Sequence, residues 1–187
     1  EFSYSDTQMG MIQGVFLFGV GLITIPAGFI MDRYSRKKTV SLMAFIWSAS
    51  TLATAFAGRF WSMLAARFVC GAGEAGYAPG GISWISEIFP KRNRSMANGI
   101  FMMGIIIGCV LGMAVGGSII TKTGDWRMAF YIFGIPGLFL GLVTLFLPEV
   151  RKNVSTGTGD GMLRASLDVL KVNSYFYTTL ASGFYLV

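Results

Sequence analysis

The sequence predicts an all-α integral membrane protein, and three observations predict it. Hydrophobic residues make up 53% of the 187 and charged residues 13%, against about 25% charged in a soluble domain. The mean hydropathy is +0.62. Five apolar stretches, at about 8–31, 39–57, 61–89, 96–121 and 128–147, each approach the roughly 20 residues that a helix needs to cross a hydrocarbon core of about 30 Å. The basic residues fall between these stretches, mostly on alternate connections. That placement argues against nucleic acid as a partner despite the net charge of +6, because no single patch or aromatic-lined groove forms. Histidine is absent, which removes the commonest metal ligand and the usual neutral-pH acid–base group. Cys70 and Cys109 lie inside apolar stretches and read as packing residues without a disulfide. Nothing resembles a nucleophile–base pair, a metal cluster or a phosphate loop, so an enzyme and a cofactor are not expected.

The polar start, EFSYSDTQMG, enters the first span, which is apolar apart from Gln13 and Thr24. Gly10 and Gly14 form a small-xxx-small pair suited to close helix approach. GFIMDRYSRKK, residues 28–38, is a tight basic turn into the second span, and AGRFW turns into the third. That third span, WSMLAARFVCGAGEAGYAPGGISWISEIF, is expected as one continuous helix around which the rest is organised. Pro90 stops it, and PKRNR makes a second basic turn. The fourth span leads through KTGDWR to the fifth, which Pro148 and Glu149 close. Residues 149–173 begin Gly/Ser/Thr-rich, as a flexible linker does. Leu163, Leu167 and Leu170 then recur opposite Arg164, Asp168 and Lys171, which predicts an interfacial amphipathic helix. Residues 174–187 begin another span that stops short of a crossing, so the chain is expected to be incomplete at both ends.

Eleven of the fifteen Lys and Arg residues fall on one side of this layout. Arg59, Lys122 and Arg127 fall on the other, and Arg67 lies within a span. The positive-inside rule makes loops 32–38, 90–95 and 149–173 cytoplasmic, in a multi-pass protein of a cell or inner membrane. The glycosylation sequon at Asn153–Ser155 then lies on the wrong side for use.

Arg67 and Glu74 are the ionisable residues deep in the third span. A charge there costs about 2.5–3.5 kcal/mol on insertion scales, so it ordinarily faces a cavity. The two stand seven residues apart, two turns of helix, and project from nearly the same face. Gly71, Ala72, Gly73, Ala75 and Gly76 give the helix a narrow waist around them. One reading is a structural ion pair locking two helices together. The other is a substrate or proton site, with Tyr77 beside it. Asp32, Glu87, Asp125 and Glu149 lie near span ends, which leaves Glu74 as the acid placed to carry a proton. Arg67 suits bidentate binding of a carboxylate or phosphate, and such an anion would compete with Glu74 for it.

In GFIMDRYSRKK a carboxylate, Asp32, sits among cations at a helix boundary, where it can dock against a neighbouring helix end and release it. The string resembles the loop between helices 2 and 3 of the major facilitator superfamily, G-x-x-x-D-R-x-G-R-K/R. Gly28, Asp32, Arg33, Arg36 and Lys37 match it, while Ser35 stands where that family usually has Gly. RFVCGAGEAG resembles a second motif of the same family, an Arg followed by glycines. The resemblance implies helices 2–6 and the start of helix 7 of a twelve-helix transporter. Residues 1–148 would then be its N-terminal half without helix 1. Alternating access about a midplane site between two halves is implied with it. The partners implied are a small-molecule or lipid substrate, protons as coupling ion, the bilayer and the C-terminal half of the same protein.

DRYSRK, GEAGYAP and WRMAFYIFGIPG are similar to strings of Spinster-like transporters, which implies an amphiphilic lipid or organic-anion substrate. Similar strings occur in anion:cation symporters for sugar acids. A reading of another class is a receptor or scaffold of the same fold that transports nothing. Gly104, Gly108, Gly112 and Gly116 recur every four residues and predict a groove that admits another helix closely. The antiporter motif of helix 5 carries a Gly-Pro pair, but Met113 follows Gly112, so antiport is not inferred.

Overall fold

The computed structural model describes residues 4–147. They form α1 (Asp6–Arg33), α2 (Arg36–Ala55), α3 (Phe60–Glu74), α4 (Tyr77–Ile88), α5 (Arg94–Thr123) and α6 (Arg127–Thr144). The expected linker at 149–173, with its Leu163–Leu170 helix, and the start of a further span at 174–187 lie outside the described residues. Local chemistry sets the ends. Ser5 caps α1 by accepting from the Gln8 N–H while the Gln8 side chain accepts from the Ser5 N–H, a reciprocal capping box. Gly124 ends α5 at φ 69°, a left-handed position that a side chain would strain.

The single helix expected over 61–89 is two helices. Ala75 and Gly76 separate α3 from α4, both with right-handed backbone angles, so the chain bends there without reversing. Pro79 supplies the physical reason. It has no N–H to give the carbonyl four residues earlier, Ala75, and its ring crowds that carbonyl. Gly76 adds a backbone with no side chain to resist the bend. Helical geometry resumes with the Gly80 N–H donating to the Gly76 carbonyl at 2.9 Å.

The α3–α4 pair sits between the other helices because its glycines let them in. A Cβ on Gly71 would run into the Phe16 carbonyl of α1, and one on Gly73 would lie 2.6 Å from the Trp47 nitrogen of α2. Gly19 of α1 answers from the opposite side, where a Cβ would lie 2.6 Å from the Phe68 carbonyl. These are backbone-to-backbone approaches of the kind that small residues permit between membrane helices. α2 packs on α3, α4 and α6 and carries the buried polar residues Thr39, Ser41, Ser48, Ser50 and Thr54. Thr54 and Ser50 satisfy themselves by donating to carbonyls one turn back, and the Thr144 hydroxyl of α6 donates to Ser41 at 2.8 Å. α1, α5 and α6 are each long and apolar enough to cross a membrane. α3 and α4, at 15 and 12 residues, cross only in combination.

Candidate functional site

Arg67 lies in the middle of α3, with its guanidinium carbon 5.2 Å from the centroid of the Phe130 ring of α6. Its Nε is buried and has no hydrogen-bond partner among the described residues. Arg36 makes ion pairs with Asp32 and Glu87, and among the described residues Arg67 makes none. The cation therefore sits in the helix assembly beside an aromatic ring, with a donor unused among the described residues. Glu74 is the last residue of α3, half-buried, and lies immediately before the break. The structure brings Arg67 and Glu74 onto one helix, and among the described residues neither makes an ion pair.

Tyr77 opens α4 just past the break. Its ring stands between Trp47 of α2, with centroids 5.7 Å apart, and Phe101 of α5, at 6.1 Å. Glu74 and Tyr77 thus flank the one bend in the crossing, with an aromatic row spanning α2, α4 and α5 at that level. The site has a rigid upper part, fixed through Gly71 and Gly73. Its lower part, α4, rests on side chains: Gly76 faces Met43, Gly80 faces Met31 and Val40, and Gly81 faces Phe101. Methionine thioethers yield more readily than backbone does.

At the basic end of the molecule the turn between α1 and α2 shrinks to Tyr34 and Ser35. Ser35 needs no glycine-like backbone: at φ −61° and ψ 120° it caps α2, its hydroxyl accepting from the Lys38 N–H. Arg33 closes α1, and Gly28 lies within it with open space around a would-be Cβ. Arg36 is the hub. It pairs with Glu87 of α4 at 2.9 Å and donates to the Ser83 carbonyl at 3.2 Å, while Asp32 stands further off at 3.8 Å. Arg36 and Glu87 are only 15% and 18% exposed, against 53% for Asp32. Lys37 donates to the Leu147 carbonyl beyond α6. Two cations at the start of α2 thus reach the C-terminal ends of two neighbouring helices, where the macrodipole is negative.

Glu87 was not singled out from the sequence. Its signal was available: an acid in the last turn of a helix opposes the dipole and calls for a cation. The glycine stripe of α5 is placed differently from that of α3. Gly104, Gly108 and Gly112 meet nothing within 4 Å, and Gly116 meets only the Phe133 ring at 3.8 Å. The groove exists, and no described residue fills it.

The family model described as Major Facilitator Superfamily matches residues 1–187. The chain is similar to the sphingosine-1-phosphate transporter SPNS2 of Xenopus tropicalis, 29% identical over 98% of this chain and 36% of that protein. It is also similar to a putative tartrate transporter of Agrobacterium vitis, 30% identical over 83% of this chain and 38% of that one. The crystal structure of a bacterial homolog of the human lysosomal transporter Spinster, inward-facing and unoccupied, superposes with a TM-score of 0.69. It is 29% identical and covers 84% of this chain and 39% of that one. The chain thus spans a little over a third of the length of these relatives.

Proposed function

Because the chain belongs to the major facilitator superfamily, we propose that it forms part of a proton-coupled secondary transporter that moves an amphiphilic or organic anion by alternating access. Arg67 binds the anionic head group, Glu74 carries the coupling proton, and Tyr77 lines the site beside them. The basic end faces the cytoplasm, where Gly28, Asp32, Arg33, Arg36 and Lys37 form a latch that opens and closes with the transport cycle.

One observation carries this reading: Arg67 sits inside a membrane crossing with a buried Nε that nothing in the described residues satisfies. A buried donor without a partner costs about 1–3 kcal/mol, and a carboxylate or phosphate relieves that cost when it binds. The names of two relatives support the same chemistry, since sphingosine 1-phosphate carries a phosphate and tartrate carries carboxylates. The amphiphile is favoured over the sugar acid because the Spinster-type relative matches nearly the whole chain.

The test is transport by the full-length protein in proteoliposomes. Accumulation of substrate against its gradient separates a transporter from a receptor or scaffold of the same fold, which would bind without accumulating. Glu74→Gln is expected to abolish dependence on a pH gradient while exchange of bound substrate persists. Arg67→Ala loses both, and Arg67→Lys recovers little because an ammonium cannot bind an anion with two parallel N–H donors. Concentration of substrate by the Glu74→Gln protein under a proton gradient would move the coupling role to another residue.

A further inference from the structure

The string WRMAF at the start of α6 has so far served only as a family resemblance, yet it builds a continuous stack that ends on Arg67. Arg127 begins it. Its Nε donates to the Ala55 carbonyl at 2.9 Å and a terminal nitrogen donates to the Ala57 carbonyl at 3.1 Å, fastening α6 to the end of α2. The Asp125 carboxylate accepts from the Arg127 backbone N–H at 2.9 Å, which fixes where α6 starts. The Arg127 guanidinium covers the Trp126 ring, 4.8 Å from its centroid. Trp126 meets Phe130 edge-on, with centroids 5.7 Å apart and planes at 87°. Phe130 then presents its ring to the Arg67 guanidinium at 5.2 Å. The order is cation, ring, ring, cation, running from the end of α2 to the middle of α3.

The ring quadrupole attracts a guanidinium through its face. The N–H donors of arginine lie in the guanidinium plane, so a contact made through the guanidinium face leaves them free for an anion. Arg67 has the Phe130 ring 5.2 Å from its guanidinium carbon, and its buried Nε has no hydrogen-bond partner among the described residues. An aliphatic neighbour would fill the same volume without setting the plane. A carboxylate neighbour would set the plane but consume the donors. Phe130 does the first job without the second, and the edge contact from Trp126 holds the Phe130 ring itself in place.

We propose that Phe130 is a positioning residue that holds the Arg67 guanidinium flat with its donors open to a carboxylate or phosphate. Trp126 and Arg127 brace Phe130 from the end of α2. This rests on the reading of Arg67 as the anion site and names the residue that prepares it.

The experiment measures binding of sphingosine 1-phosphate and of tartrate to the purified full-length protein, as thermal stabilisation over a concentration series. Phe130→Met keeps the volume and removes the ring, and is expected to weaken binding about tenfold at unchanged abundance. Phe130→Tyr keeps the ring and should bind like the unaltered protein. The double variant Phe130→Met/Arg67→Ala should bind no worse than Arg67→Ala alone, because a residue acting through Arg67 has nothing left to position. If Phe130→Met fails to fold, Trp126→Met takes its place, with a smaller loss of about threefold expected. Unchanged binding by the ring-deleted variant, beside lost binding by Arg67→Ala, overturns the positioning role and leaves the anion site standing. Additive losses in the double variant overturn it as well. Full binding by Arg67→Ala, or no binding of either probe to the unaltered protein, overturns the anion site and this proposal with it.

Discussion

Two stripes of glycine run through this molecule, and they do opposite things. Along α3, α4 and the break between them, Gly71, Gly73, Gly76, Gly80 and Gly81 each have atoms of another helix within 3 Å of where a Cβ would stand. Along α5, Gly104, Gly108 and Gly112 face nothing within 4 Å among the described residues. In sequence the second stripe is the more regular, with its strict period of four, yet the first is the one that packs. Periodicity shows that a helix has a narrow face. Only the neighbours show whether that face is used. Within the first stripe there is a second difference, because α3 is gripped by backbone and α4 by side chains. The same helix-forming logic thus yields an anchored half that carries Arg67 and a softer half that carries Tyr77 and Glu87.

The sharpest way to break this comparison is to fill an anchored glycine. Gly73→Val places carbon against the Trp47 backbone, which cannot retreat without moving α2. A cost of about 3 kcal/mol or more is expected, seen as loss of folded protein and a lowered melting temperature in detergent. Normal melting of this variant would mean that α2 and α3 lie further apart than the structure has them.

Next in size is the tie that holds the soft half. Glu87→Gln removes the close partner of Arg36 and leaves a half-buried cation with Asp32, at 3.8 Å, as its one ion-pair partner among the described residues, so a loss of roughly 1–2 kcal/mol and slower turnover are expected. Asp32→Asn should act in the same direction but more weakly, lowering transport with substrate affinity nearly intact, since Asp32 is more exposed and further from Arg36. Transport rates and binding measured side by side decide between them. A larger effect at Asp32 would make the α1–α2 turn, and not α4, the moving element.

The open stripe gives the third test. Gly108→Leu meets no obstacle among the described residues, so α1 to α6 should tolerate it. Transport by the full-length protein is nevertheless expected to fall severalfold, because a groove of this shape admits a helix from elsewhere in the protein. Full activity with Leu at both Gly108 and Gly112 would show that this face looks at lipid. The smallest effect belongs to Gly76→Ala, whose added methyl meets the flexible end of Met43. Within about 1 kcal/mol of the unaltered stability is expected, read as a small shift in melting temperature.

Much of this was legible from the chain alone. The apolar runs lie within a few residues of the helices, and the family resemblance of GFIMDRYSRKK and RFVCGAGEAG agrees with the family that the whole chain matches. What hydropathy hid was the break at Ala75 and Gly76, because an apolar run reads as continuous even where Pro79 interrupts its hydrogen bonds. Pro26 and Pro136 lie inside helices that stay whole, so a proline alone did not announce it. The partners of Arg36 and Arg67 were illegible for another reason. Glu87 and Phe130 lie some fifty to sixty residues away along the chain, and only the packing of separate helices brings them near.

The break has a consequence for how the protein exchanges its amide hydrogens with water. A continuous crossing would protect its interior amides as a single ladder that opens only from the two membrane surfaces. Here the crossing is two ladders, of 15 and 12 residues, each with an end at the bend. Opening can begin from that bend, so amides around Gly76 and Ala78 should exchange sooner than those of α5 at equal depth. The middle of the crossing, which in an unbroken helix is the last part to open, would here be among the first.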